Sequence, residues 1–355
     1  MLAAGGADGS EWNQVDLPLD LAALEARYDD VVSVNALSVA AGPNGVLASV
    51  NVSVWADPTA YVPPGTDVSG DWRWTADGLE LYEPVDGCEL SKDGAPMPCT
   101  TAAPTTIRSS PREQRVAASY TWAQLGIDEE LRSLIQGELH VFTSVDGTSF
   151  DEVALPVGAA GSSTLVATDD GFVLFAQTWP NERSAGEVHI LHSSDGRSWT
   201  ADPSATFTGY LDSAGRVDGR AAAVVIHYGE NGLIATVAHT RRADGGWSTL
   251  DLTGVIELPQ GKRAVGTTSA IGPMGIAAAV IVHDPTDSEG ETTQQFLVYS
   301  PDGVDVTSLD VTDRVGGGYL ATLRVSADAV FAGFSSPKHD PNAEPSMTLL
   351  VGTTG

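Results

Sequence analysis

Short apolar runs separated by tight turns fill most of this chain. In its middle, Ser163–Thr168 reads as a strand, Asp169-Asp170-Gly171 as a turn and Phe172–Trp179 as a second strand. After the loop 180–187, Val188–His192 makes a third strand, and Trp199 begins a fourth. The second run is apolar without alternation, as expected of a strand covered on both faces. The same order recurs in Ala221–His227 and Leu233–His239, flanking Glu230-Asn231-Gly232, and in Ala264–Ile271 and Ile276–His283, followed by Gln295–Tyr299. Near the start, Val31–Ala40 and Val46–Trp55 flank a turn at 42–45. The least regular stretch predicts a strand over Arg115–Leu125 and a short helix over Asp128–Gln136, with acidic residues in its first turn.

Asp-Gly turns punctuate these runs at Asp77-Gly78, Asp146-Gly147, Asp195-Gly196, Asp244-Gly245 and Asp302-Gly303. From 146 to 195, 195 to 244 and 244 to 302 the aspartates are 49, 49 and 58 residues apart. A period near fifty around a strand-turn-strand unit is the signature of a radial β architecture. The pattern predicts one all-β domain over 1–355, a six-bladed β-propeller of four-stranded blades, with seven blades as the alternative. The C-terminal run Ser346–Gly355 reads as a third strand, and Ala7–Pro18 as the turn and fourth strand that complete it. The last blade is thus expected to be closed by the N-terminal strand, which removes an open sheet edge.

The turns resemble the Asp-box, or BNR, repeats of sialidase-like β-propellers. Asp195, Gly196, Ser198 and Trp199 match that pattern in kind, as do Asp146, Gly147, Ser149 and Phe150, with Asp and Gly adjacent where the family separates them. Copies at Asp244, Gly245 and Trp247 and at Asp302 and Gly303 are weaker. The resemblance implies a turn-stabilising carboxylate and an aromatic packed between blades. It implies no activity, and the Arg-Ile-Pro signature of sialidases is absent, Ile107-Arg108-Ser109 being no match.

With 47 acidic against 18 basic residues the net charge is −29, which repels nucleic acid and anionic membrane surfaces. No run of apolar residues is long enough for membrane insertion. Cys88 and Cys99 flank the turn Lys92-Asp93-Gly94, so a disulfide across one hairpin is expected, two unrelated thiols being the alternative. A disulfide implies an extracellular or surface-exposed protein whose export signal has been removed.

The ends of the second strands share aromatic and imidazole groups beside carboxylates: Trp55 and Asp57, Trp179 and Asn181, His227 and Tyr228, His283 and Asp284, His339 and Asp340. Such a ring at a channel mouth suits a glycan or peptide; packing beneath the rim loops is the plainer role. The acidic loop Asp284–Glu291 offers oxygen ligands to calcium but lacks a defined loop spacing, so no cofactor or metal is expected beyond that weak signal. No nucleophile elbow, P-loop or dinucleotide fingerprint occurs. The sequence therefore reads as an exported, non-catalytic propeller binding a glycan, peptide or partner protein. The alternative is a glycoside hydrolase-like enzyme in which carboxylates such as Asp57 and Asp284 act at the channel mouth.

Overall fold

A computed structural model describes residues 2–5, 12–28, 31–68, 72–75, 77–82, 116–156, 161–178, 186–229, 234–258, 260–284, 293–316, 318–335 and 347–353. The strands are β1 (Leu2–Gly5), β2 (Trp12–Val15), β3 (Val31–Gly42), β4 (Gly45–Trp55), β5 (Trp72–Thr75), β6 (Gly78–Tyr82), β7 (Val116–Thr121), β8 (Glu138–Ser144) and β9 (Asp151–Val153). They continue as β10 (Ser162–Thr168), β11 (Gly171–Thr178), β12 (Glu187–Ser193), β13 (Thr200–Thr208), β14 (Tyr210–Val217), β15 (Arg220–Tyr228), β16 (Ile234–Arg241) and β17 (Trp247–Asp251). The last are β18 (Arg263–Gly272), β19 (Gly275–His283), β20 (Gln294–Ser300), β21 (Thr307–Asp310), β22 (Tyr319–Val325), β23 (Val330–Ser335) and β24 (Met347–Gly352). Four helices, α1 (Leu21–Tyr28), α2 (Trp122–Leu125), α3 (Glu129–Gln136) and α4 (Thr312–Val315), lie between strands.

Antiparallel pairing groups the strands into sheets β3-β4-β8-β9, β10-β11-β12-β13, β14-β15-β16-β17, β18-β19-β20-β21 and β22-β23-β24, here the first to fifth sheets. Their first strands pack in series, β3 on β10, β10 on β14, β14 on β18 and β18 on β22, forming an inner wall. This succession of small antiparallel sheets is propeller-type. The second strands of the middle three sheets, with Leu174, Phe175, Val224 and Val280, are almost wholly buried, because each of these sheets has a neighbour on either face.

In the first, second and fourth sheets the inner hairpin turns on a glycine (Gly45, Gly171 and Gly275) that touches the third strand of its own sheet. Gly171 (φ 135°) sits where a Cβ would run into the Ser193 carbonyl. The Asp-Gly turns at Asp146, Asp195 and Asp302 are built alike. Asp195 accepts from the backbone N–H of Arg197 and Ser198 (both 2.8 Å), and Ser193 Oγ accepts from Gly196 N at 2.8 Å. Asp146 and Asp302 repeat this with Thr148 and Ser149, and with Val304 and Asp305. These bonds hold the Asp146 carboxyl well below its ordinary value, and lower that of Asp195 to about 2.

Two expectations about the chain ends and the second repeat need correction. β8 pairs with β4, so the Asp146 turn belongs to the first sheet and not to a blade of its own. The chain between β4 and β8 makes a separate sheet, β5-β6-β7, in which Asp77-Gly78 joins β5 to β6. Leu79, Leu81, Trp122, Leu125, Leu131 and Leu134 pack with Val50, Val52 and Phe142, on the face of the first sheet turned away from β10. At the N-terminus β2 pairs with β1, and Val15 is buried against the first sheet, whereas β24 was its expected partner. A neighbouring hairpin partner costs far less loop entropy than joining the two chain ends. Cys88, Cys99 and the Asp93-Gly94 turn lie outside the described residues.

Candidate functional site

The second strands of the five sheets end on one face, where one sheet also passes to the next; the Asp-Gly turns between third and fourth strands occupy the other. On the first of these faces an Asp-x-Thr pattern recurs at strand ends. Asp57, Asp251 and Asp310 each accept from the backbone N–H and hydroxyl of the threonine two residues on, at 2.6–3.0 Å. Asp57 thereby caps a short 3-10 turn, and the Thr59 bonds lower its carboxyl pKa. Its carboxylate is the anchor of that turn.

Of the residues expected at the channel mouth, Trp55, Asp57, His227, Tyr228, His283 and Asp284 are described, while Trp179, Asn181, His339 and Asp340 lie outside the described residues. Trp55, 66% exposed, meets Trp72 edge-on at 5.6 Å, beside the inserted sheet. Tyr228, 60% exposed, meets Tyr210 edge-on at 5.1 Å on the third sheet. His227 is half-buried, and desolvation lowers its pKa while Asp251 opposes the shift. His283 and Asp284 end β19 and are half-buried. Beyond Asp284 the proposed calcium loop is outside the described residues, and among the described residues no group of three or more His, Cys, Asp or Glu is placed to hold a metal.

A carboxylate that the sequence reading passed over stands below the tyrosine pair. In β14 the register slips between Leu211 and Ser213, leaving Asp212 as the extra residue of a β-bulge. Bulges re-aim side chains at functional positions. Asp212 Oδ2 accepts from Ser269 N (2.6 Å) and Ser269 Oγ (2.5 Å) of β18, and Ser213 Oγ lies 2.6 Å from the same hydroxyl. The residue remains open to solvent, yet the inner strands crowd it on several sides. Accessibility decides that a ligand can reach it, and the surrounding protein decides the direction of its pKa. Desolvation raises that pKa, outweighing the two Ser269 bonds that lower it. Tyr228 is raised too, first by desolvation and then by Tyr210 and Asp212. The available signal was an Asp-Ser pair, Asp212-Ser213, at the head of a run that pairs with the apolar second strand.

No family model matches the chain, and no curated protein matches it. Solved structures do. A protein of unknown function from Dyadobacter fermentans aligns at TM-score 0.39 and 12% identity, over 91% of this chain and 79% of that one. A putative glycoside hydrolase from Parabacteroides distasonis aligns at TM-score 0.30 and 10% identity, over 86% and 84%. A structure from the GH130 family of mannoside phosphorylases, described as containing glycoside hydrolases that target β-1,2 mannosidic linkages in Candida mannan, aligns at TM-score 0.31 and 10% identity, over 90% and 84%. At these TM-scores the overlap places no residue and fixes no reaction. The expectation of a non-catalytic binding module is corrected in favour of its alternative: two of these three neighbours are described as glycoside hydrolases or members of a family containing them, one of them putative, and none as a binding module.

Proposed function

We propose that the chain is a glycoside hydrolase-like enzyme whose reaction centre lies inside the inner wall at Asp212. The observation that carries this reading is an accessible carboxylate, set on a bulge between two sheets, with its pKa raised by the protein around it. Glycosidic cleavage needs a carboxyl group that holds a proton for the leaving oxygen and a second that stays ionised. Asp212 suits the first role. For the second we propose Asp284, directly after β19 on the neighbouring sheet. Tyr210, Tyr228 and Trp55 offer flat apolar faces on which a sugar ring can stack.

The test is a panel of aryl glycosides and oligosaccharides assayed with the full chain and with Asp212→Asn. Turnover by the wild type that falls about a hundredfold or more in the variant, with an unchanged melting point, is the expected result. Absence of turnover across the panel, or turnover indifferent to Asp212, would refute the reading. The export of the chain and the Cys88–Cys99 disulfide are likewise proposals, supported by the spacing of those two cysteines alone. They predict free thiols only after reduction.

A further inference from the structure

On the face opposite Asp212, the seam between the second and third sheets is closed at the inner turn, where Asp169 N donates to the Gly219 carbonyl (3.0 Å), but opens at the outer turn, where the neighbouring seams are closed. The glycines of the Asp-Gly turns show this. A Cβ on Gly196 would meet Leu47 and Thr143 of the first sheet at 3.2–3.3 Å, and one on Gly303 would run into Thr240 of the third. At Gly245 nothing lies within 4 Å. The Asp-Gly turn of the third sheet therefore stands off the second sheet, leaving a groove of about 440 Å³ lined by His192, Arg220, Arg241, Arg242, Asp170 and Asp244 among others.

The chain departs from its own repeat at this place. The position two residues before the turn aspartate is Ser144, Ser193 and Ser300 in the other sheets, and in each its hydroxyl accepts from the turn glycine. In the third sheet that position is Arg242, and the turn aspartate accepts from the backbone of Gly246 alone. The turn does not need an arginine there, still less a second at Arg241. Arg220 and Arg242 each hold an aspartate, Asp218 at 2.9 Å and Asp244 at 3.1 Å. Arg241 instead lies against the His192 ring, 2.8 Å from Nε2, with no carboxylate in ion-pair reach among the described residues. His192 in turn contacts Asp202 at 3.4 Å. In a chain of net charge −29, three of the 18 basic side chains thus converge on one cavity, and one guanidinium among them makes no direct ion pair with a described carboxylate.

We propose that this groove binds a small oxyanion, with Arg241 as its principal ligand and Arg220 and Arg242 at its rim. A planar guanidinium fork matches phosphate, sulfate or carboxylate oxygens. The cavity is large enough for the anion alone or for a sugar acid that carries it.

The test is calorimetric titration of the full chain with inorganic phosphate, sulfate and glucuronate at fixed ionic strength. One saturable site is expected, weakened about tenfold or more in Arg241→Gln, as loss of a charge-assisted contact requires. Arg241→Lys is expected to recover part of the affinity. Arg242→Gln, at an exposed position, serves as a second variant with a smaller loss if Arg241→Gln fails to fold. Binding of phosphate or sulfate identifies a free inorganic ion, binding of glucuronate alone a sugar acid, and either supports the site. No saturable binding, or equal affinity in wild type and both variants, overturns it. Glycoside turnover is no part of this readout, so the site on the opposite face can fail or stand independently.

Discussion

His239 lies flat on Phe207, ring centroids 3.7 Å apart and planes 8° from parallel. Its Nε2 has no hydrogen-bond partner among the described residues. Desolvation, with a smaller push from His227, lowers its pKa from 6.5 to about 4. A depressed histidine contributes stability above its unfolded pKa and loses it as pH falls towards the folded one. Between pH 6.5 and 4 the fold is expected to lose up to about 3 kcal/mol through this ring. Urea melts across that range, compared with His239→Gln, check it: the wild type should fall relative to the variant as pH drops. Asp212 has the opposite sign. Its raised pKa means that stability declines as pH rises from 3.8 through the raised value, and Asp212→Asn should flatten that part of the curve. The Asp-Gly aspartates were legible in the sequence because their hydrogen bonds are local. Asp212 was not, because its environment comes from Ser269 of another sheet and from a bulge that single-sequence periodicity does not reveal.

At the level of elements, the Asp-Gly turn and the sheet beneath it are one unit, and its glycines separate two costs. Gly196 and Gly245 share a left-handed backbone, φ 73° and 83°, but only the first abuts a neighbouring sheet. Gly245→Ala should cost about 1 kcal/mol for the backbone alone, and Gly196→Ala distinctly more. Thermal denaturation of the two variants settles the order; equal losses would mean that the seam beside Gly245 is as tight as its neighbour. The hairpins themselves were readable from the run-turn-run pattern, and α3 was foreseen over Asp128–Gln136, where Asp128 caps it by accepting from Leu131 N at 2.8 Å. What periodicity concealed was partnership. Nothing in the run Glu138–Ser144 says that it joins β4 across an inserted sheet instead of starting a new blade.

Over the whole molecule, five sheets succeed one another along an inner wall, an inserted sheet covers the outer face of the first, and β1 and β2 form their own hairpin. Self-repulsion at a net charge of −29 opposes this compact arrangement. Raising sodium chloride to about 0.5 M, which shortens the screening length below 5 Å, should therefore raise the melting temperature. A flat or falling response would show that attractive pairs such as Arg73–Glu80 outweigh the surplus charge. The acidic surface also sets the two candidate sites apart: the inner wall offers a protonatable carboxylate, and the opposite seam offers arginines. The pH profile of kcat/KM on a cleaved glycoside, measured for wild type and Asp212→Asn, tests the central claim most directly. The account predicts an alkaline limb set by loss of the Asp212 proton, displaced above 3.8 in the wild type and absent from the residual activity of the variant. A profile that keeps the same alkaline limb after the substitution would contradict it.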